Sequence, residues 1–190
     1  MNAPFPVPES LPRHKFTHDE VLDLTAQGLV PKRAVLLDGE IYDMPEDGFN
    51  HISVTMRLAR HVMVTLDPAA YFVGVQTSLR LSKHNVPSPD IYVLAGALPN
   101  SDVPPDQILL VIEVADSSLR DDLAASASRY ARHGVRDFWV VDVNAREIHI
   151  HRTPKDGAYP PPVRVSADAA ASPLLIPGLA IVLDHVAPAA

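Results

Sequence analysis

The chain has 190 residues, enough for one domain with a substantial core. Hydrophobic residues make up 47% and charged residues 21%, which is ordinary for a globular protein. It contains no cysteine, which excludes disulfides, thiolate zinc sites and cysteine nucleophiles, so any metal site must use carboxylates or histidine. The net charge of -7, with 16 basic against 23 acidic residues, argues against a protein that simply coats nucleic acid, but a local basic groove is compatible with it.

The N-terminal sequence MNAPFPVPES lacks the basic start and the apolar run of a signal peptide. No stretch approaches the roughly 20 consecutive apolar residues that cross a bilayer. We therefore expect a cytoplasmic protein without a membrane partner. Residues 1–16 carry four prolines and are predicted to form an extended tail, and residues 17–190 to form one domain.

The first predicted elements are a helix, a hairpin and a second helix. Thr17 and Glu20 have the spacing of a capping box, which predicts a helix that ends at Gly28. The Asp-Gly pair inside AVLLDGEIYDM separates two short apolar runs and predicts a β-hairpin. Residues 51–66 carry the apolar stripe of an amphipathic helix.

Three strands are predicted in the middle of the chain. Apolar residues alternate with others over 73–81, which predicts a strand with one buried face. IYVLA at 91–95 predicts a short strand, and ILLVIEV at 108–114 predicts a central strand covered on both faces.

The C-terminal part begins with another helix signal. Ser118 and Asp121 have capping-box spacing, and the alanine-rich stretch after them predicts a helix that Gly134 terminates. FWVVD and EIHIHR, residues 138–142 and 147–152, predict two strands joined by a polar turn. The remainder is predicted to be mostly irregular, with LAIVL at 179–183 as an edge strand. This order of elements predicts a mixed α/β fold.

Two carboxylates stand where the predicted sheet would bring them together. Glu113 lies in an apolar run, and burying a carboxylate there without a metal or basic partner costs several kcal/mol. An arginine partner just beyond the buried part of the strand is the alternative. Asp90 follows Pro89, a pair that by itself indicates a turn. If the two strands are antiparallel neighbours, the carboxylates meet at one end of the sheet, as a Mg²⁺ or Mn²⁺ site requires.

Four stretches within residues 36–142 resemble, in order and spacing, the Uma-type restriction endonuclease family, a branch of the PD-(D/E)xK superfamily. They are LLDGEIYDMPEDGFNH, SPDIYVL, LLVIEVADSSLRDD and SRYARHGVRDFWVVD. The resemblance implies a restriction-endonuclease-like core, a central mixed sheet flanked by helices, with an N-terminal helix and hairpin. It also implies an endonuclease that hydrolyses phosphodiester bonds, with DNA as the expected substrate, Mg²⁺ or Mn²⁺ as the cofactor and a homodimer as the expected assembly.

The resemblance assigns roles to individual residues. Asp90 and Glu113 fall on the family's metal-binding acidic positions, and Glu40 on a third carboxylate at the rim. His51 falls on the histidine that opens the next helix, where a surface or capping role is the more common one. Asp122 matches an aspartate that would orient the site. Tyr130, Gly134 and Trp139 also match, and we interpret them as packing and helix-ending residues.

The family's lysine is missing. The strand position two residues after Glu113 holds Ala115, and the helix position four residues before Tyr130 holds Ser126. Arg129, one helical turn further on, can reach the same space and is the candidate replacement. Arginine binds phosphate well but is a poor proton carrier because of its high pKa. Weakened or lost catalysis is therefore one interpretation.

Other interpretations remain open from the sequence alone. A nuclease fold kept as a catalytically inactive binding or assembly module is the main alternative, and an unrelated α/β domain is a third. His149 and His151 lie on one face of a predicted strand and could bind a metal, although a solvated strand face is the favoured interpretation. The chain has no Gly-rich phosphate loop, no GxSxG and no HExxH, so nothing supports a serine hydrolase or a zinc peptidase.

Overall fold

The structure is a computed structural model that describes residues 12–44, 46–116 and 122–188, with the backbone alone for Asp122 and Leu123. Its centre is a six-stranded sheet in the order β3-β4-β5-β6-β7-β8. The strands are β3 Tyr71–Val75, β4 Ile91–Ala95, β5 Ile108–Ala115, β6 Asp137–Asp142, β7 Glu147–Arg152 and β8 Val163–Ser166. Neighbours are antiparallel except β5 and β6, which are parallel because the chain crosses over between them through a helix. The mixed α/β fold predicted from the sequence is confirmed.

The N-terminal helix and hairpin form as the local sequence predicts. Helix α1, His18–Ala26, begins with both hydrogen bonds of the capping box between Thr17 and Glu20. Strands β1, Ala34–Leu37, and β2, Glu40–Asp43, pair antiparallel. The two residues between them have φ of +53° and +83°, the left-handed conformations that an Asp-Gly hairpin turn requires.

The central sheet is covered on both faces. Helix α2, Phe49–Thr65, packs its buried residues on one face together with the C-terminal segment. On the other face lies a helix that starts as a π-helical turn, Asp122–Ser126, and continues as α3, Ala127–Arg132. Its end at Gly134, with φ of +73°, is where the sequence predicted it. The predicted capping residues Ser118 and Asp121 lie outside the described residues.

The predicted strand over 73–81 is wrong in its second half. The strand ends at Val75 because Gln76 adopts a φ of +47°, which breaks the extended backbone. The Gln76 N–H then donates to the carbonyl of Asp90, 3.0 Å away. Leu79 and Leu81 are still buried, but in an irregular segment. Alternation therefore predicted the burial of Leu79 and Leu81 correctly, but not the exposure of Thr77 or the length of the strand.

The C-terminal edge also differs from the prediction. Within 179–183, only β10, Ile181–Val182, is a strand, and it pairs with β9, Ala170–Ala171, in a separate two-stranded sheet. The edge of the central sheet is β8, in a region predicted to be irregular. Its sequence, VRVS, alternates apolar and polar residues over only four positions, and three of the four are exposed. A short helix α4, Leu183–Val186, follows β10. None of the helices in the described parts of the chain is both long and apolar enough to cross a bilayer.

Candidate active site

The start of β4 and the end of β5 bring Asp90 and Glu113 together. The strands are antiparallel, with Ile91 opposite Ile112. Asp90, which precedes Ile91, therefore lies opposite Glu113, which follows Ile112. The backbone N–H of Asp90 donates to Glu113 Oε2 at 3.1 Å. The N–H of Val114 donates to Asp90 Oδ2 at 2.7 Å. Each carboxylate is thus fixed by the other strand's backbone.

Asp90 is 7% exposed and has two side-chain neighbours. His51, in the first turn of α2, places Nε2 3.0 Å from Asp90 Oδ2. The hydrogen bond to Asp90 raises the pKa of His51, although burial opposes it, so the imidazolium form is favoured next to the carboxylate. Gln76 Nε2 lies 3.4 Å from Asp90 Oδ1 and donates to Asp47 Oδ2 at 3.0 Å. Asp90 Oδ2 thus has close contacts with His51 and with the backbone N–H of Val114, whereas Oδ1 has the longer, 3.4 Å contact with Gln76. Oδ1 is therefore the less engaged oxygen of Asp90.

Glu113 is held from the opposite side by Tyr130. The Tyr130 hydroxyl, on α3, donates to Glu113 Oε1 at 2.9 Å. Burial, and next the charge of Glu113, raise the pKa of Tyr130 well above its ordinary value, so the phenol keeps its proton and remains a donor. The sequence interpretation of Tyr130 as a packing residue is correct for its ring but missed this contact. No local signal in the sequence distinguishes the two roles.

A cavity of about 470 Å³ opens over these residues. Five carboxylates line it, from Glu46, Asp47, Asp90, Glu113 and Asp116. Nothing in the sequence singles out Glu46, Asp47 or Asp116. The first two lie in the polar segment PEDG, and such a segment gives no sign that it will fold over a distant strand.

Arg129 and Ser126 line the same cavity from α3 and the turn before it. The Nε of Arg129 is buried and has no hydrogen-bond partner among the described residues. The side chain of Arg129 therefore stands close to the carboxylates without being tied to one through Nε. The structure thus places the candidate replacement for the missing lysine, and the serine that occupies the lysine's helix position, at one site.

Glu40 is not brought to this cavity. Its carboxylate lies 3.6 Å from the guanidinium of Arg13 and accepts a 2.7 Å hydrogen bond from Tyr42. Among the described residues that line the cavity, Glu40 is absent. Its cross-strand partner Leu37 does line the cavity, so strand alternation does not separate Glu40 from it. The carboxylate is instead engaged by Arg13 and Tyr42. The side chain of Asp122, the other aspartate carried over from the resemblance, lies outside the described residues.

The histidines of β7 are buried, so the solvated strand face expected for them is wrong. His149 and His151 are 5% and 7% exposed. His149 Nε2 lies 2.7 Å from Glu147 Oε1, and ligand atoms of Asp142, Glu147 and His149 all lie within 4.8 Å of one another. Asp142 Oδ1 already accepts two backbone N–H groups of the following turn. These hydrogen bonds explain the cluster structurally, because they stabilise the β6–β7 turn.

The donor set of the cavity suits a hard divalent cation. Carboxylate oxygens are the ligands that Mg²⁺ and Mn²⁺ prefer, and a site that keeps room for water and a phosphate oxygen needs only a few of them. Asp90 and Glu113 are both oriented by hydrogen bonds, as ligating carboxylates usually are. The residues present therefore fit such an ion.

Comparison with known proteins agrees with this architecture. A family model described as "Uma2: Putative restriction endonuclease" matches residues 20–184. Among solved structures, a putative nuclease belonging to DUF820 from Anabaena variabilis superposes with a TM-score of 0.64 at 16% identity, covering 83% of this chain and 88% of that one. At that identity, the likeness shows the fold. No curated protein matches the chain.

Proposed function

Since this chain belongs to the Uma2 family, we propose that it is a divalent-metal-dependent endonuclease that hydrolyses phosphodiester bonds in DNA. The observation that supports this most directly is the reciprocal hydrogen bonding of Asp90 and Glu113 at the floor of a cavity rich in carboxylates. Three further acids line the same cavity, and a cluster of carboxylate oxygens is the donor set that a hard divalent cation takes.

Asp90 and Glu113 would hold the ion, with Asp90 Oδ1 as the oxygen least engaged by hydrogen bonds. Bound there, Mg²⁺ or Mn²⁺ supplies Lewis acidity toward a phosphodiester and its attacking water. Glu40 is not part of this proposed ligand set, because it is paired with Arg13 away from the cavity. Asp47 and Asp116 line the cavity and add negative potential that attracts a cation.

Arg129 would bind and stabilise the negative charge of the phosphate. A guanidinium offers several N–H donors in a plane and stays protonated, which suits charge stabilisation and not proton transfer. Its buried Nε has no hydrogen-bond partner in the described parts of the chain, which indicates a donor that a ligand can satisfy. The carboxylates of the cavity would hold the arginine close to the bound ion's position until a phosphate arrives.

The test compares Asp90→Asn with Glu40→Gln, and each of these substitutions removes one acidic charge. Calorimetry with Mn²⁺ should show that the wild type and Glu40→Gln bind the ion and that Asp90→Asn does not. A supercoiled plasmid incubated with Mn²⁺ should be cut by the first two proteins only. Equal metal binding by all three proteins would remove Asp90 from the site, and loss of binding in Glu40→Gln would restore Glu40 to it.

A binding or assembly module with the same fold is the second candidate, and Ser126 is the observation that favours it. Ser126 lines the cavity at the helix position where the family resemblance expects a lysine. If the site is intact apart from the missing lysine, Ser126→Lys should cut plasmid DNA where the wild type does not. Cleavage by the wild type that depends on Arg129 would rule out the inactive module.

The assembly and the cellular location remain expectations. A homodimer is what the resemblance implies, and sedimentation equilibrium of the full chain checks it. A cytoplasmic location rests on the sequence, and so does the division of the chain into a tail of residues 1–16 and one domain of 17–190.

A further inference from the structure

A second cavity, of about 380 Å³, lies between α2 and the C-terminal segment. Four basic residues line it, Arg57, Arg60 and His61 from α2 and His185 from α4. The described residues that line it include no acid. In a chain with more acidic than basic residues, this is a local concentration of positive charge.

Arg57 and Arg60 differ from most arginines of the protein. Seven of the described arginines lie within 4.0 Å of a carboxylate, for example Arg80 beside Asp102. Arg57 and Arg60 make no ion pair or side-chain hydrogen bond within the part of the chain that the structure describes. They are three residues apart on one helix, so their guanidinium groups emerge from adjacent turns on the same side.

His61 gives this surface a fixed shape. Its Nε2 lies 2.8 Å from the carbonyl oxygen of Ala180, which ties the middle of α2 to the C-terminal segment. Val64 from α2 and Val186 from α4 also line the cavity. The two arginines are therefore presented by packed secondary structure and not by a loop.

Helix α2 also contributes His51 to the candidate active site, so the two cavities share one rigid element. At about 1.5 Å of rise per residue, Arg57 and Arg60 lie roughly 9 and 13 Å along the helix from His51. That corresponds to roughly three or four nucleotides of one strand at about 3.4 Å each. At roughly 100° per residue, Arg57 and Arg60 lie roughly 120° and 180° around the helix axis from His51, so a nucleic acid with one phosphate in the active site reaches them by following the surface of α2 over more than this axial distance.

We propose that Arg57 and Arg60 form a second phosphate-binding site, which contacts the sugar-phosphate backbone of the nucleic acid outside the cleavage site. The proposal rests on the proposed nuclease function. Paired guanidinium groups bind phosphate oxygens through two parallel N–H donors. Such contacts position the substrate without reading its sequence. They also supply local positive charge for binding DNA, in a chain whose net charge is negative.

The test is the binding of a fluorescently labelled 20-base-pair duplex, measured by anisotropy in EDTA at several KCl concentrations. Each neutralised phosphate contributes about 0.9 to the slope of log affinity against log salt. We expect Arg57→Gln/Arg60→Gln to bind at least about tenfold more weakly, with a slope smaller by about 2. The matched control is Arg80→Gln/Arg164→Gln, which removes the same charge from arginines that are paired with acids, and its slope should change little.

Equal loss in both double variants would show a general charge effect and overturn the proposal, as would wild-type affinity in Arg57→Gln/Arg60→Gln. The proposal would also be overturned if a polyglutamate peptide bound the wild type as tightly as DNA does and this binding required the same arginines. Mn²⁺ binding by calorimetry should be unchanged in both double variants. If Mn²⁺ binding depends on Asp90 but DNA affinity does not depend on Arg57 and Arg60, the proposed function stands and this inference alone is overturned. If the double variant unfolds, each single variant should lower the slope by about 1.

Discussion

Glu113 accepts a hydrogen bond from the backbone of Asp90, and Asp90 accepts one from the residue that follows Glu113. This reciprocal arrangement depends on antiparallel pairing of β4 with β5, because only that pairing sets the beginning of one strand beside the end of the next. Two acids that are 23 positions apart therefore share one end of the sheet.

Tyr130→Phe should weaken metal binding more than it weakens the fold. The ring still packs, but Glu113 loses the 2.9 Å hydrogen bond that orients it. Loss of such an orienting contact typically costs about 10- to 100-fold in metal affinity. Calorimetry with Mn²⁺ measures the effect. The control is Tyr159→Phe, which also removes a tyrosine hydroxyl that makes a hydrogen bond, here from a partly buried residue to the carbonyl of Val135, and it should bind Mn²⁺ like the wild type. Equal affinities in both variants would show that Tyr130 only packs.

Gly74→Ala should destabilise the sheet. A Cβ at this position would lie 2.2 Å from ring atoms of Tyr92, which is fully buried and has no room to move. Overpacking of this kind costs about 1–3 kcal/mol in the free energy of unfolding. Urea unfolding followed by circular dichroism measures it. At Gly48 an added Cβ would meet its nearest atom, an Asp116 oxygen, only at 3.9 Å, so Gly48→Ala should lose less stability.

Asp38→Asn should change how stability depends on pH. Burial alone would raise the pKa of Asp38, but hydrogen bonds from Asn85 and Arg132 outweigh it and lower the pKa below its ordinary value. A carboxyl with a lowered pKa stabilises the fold above an ordinary pKa of about 4, and this contribution is lost as the pH falls below it. Asparagine tolerates the positive φ of this turn.

The difference in urea midpoint between the wild type and Asp38→Asn should therefore be larger at pH 6 than at pH 3. The effect should be modest, because both side chains of the Asp38–Arg132 pair are about half exposed. A constant difference across this range would show that the charge of Asp38 does not contribute to stability.

Asp137→Ala should cause a large loss of stability. The carboxylate is fully buried and accepts hydrogen bonds from the Trp139 indole at 2.6 Å, from Arg152 at 3.0 Å and from the backbone of Leu174. Removing one partner of a buried charged pair leaves the other uncompensated, at a cost of about 3–5 kcal/mol. Asp102→Ala removes an acid from a half-exposed pair with Arg80 and should cost about 1 kcal/mol or less. Thermal unfolding of both variants provides the comparison, and similar losses would contradict the argument.

Several features of the fold could be predicted because they depend on neighbouring residues. The capping box at Thr17, the Asp-Gly turn and the apolar run of β5 each act within a few positions of the chain. The break at Gln76 could not be predicted in this way. Its backbone N–H bonds to the carbonyl of Asp90 in the next strand, and alternation along the sequence carries no sign of that contact.

The same distinction applies to the candidate site. The sequence by itself determined that one acid would open a strand and another would stand near the end of the next, since a Pro-Asp strand start and an apolar run with one carboxylate are local patterns. The tertiary structure decided that these strands pair antiparallel and so bring the acids together. Only the tertiary structure decided which side chains surround them: His51 reaches Asp90 across 39 positions, Tyr130 reaches Glu113 across 17, and Glu40 turns away to Arg13. Such contacts arise from the packing of whole helices on the sheet, and that packing is set by the core as a whole and by no single stretch of sequence.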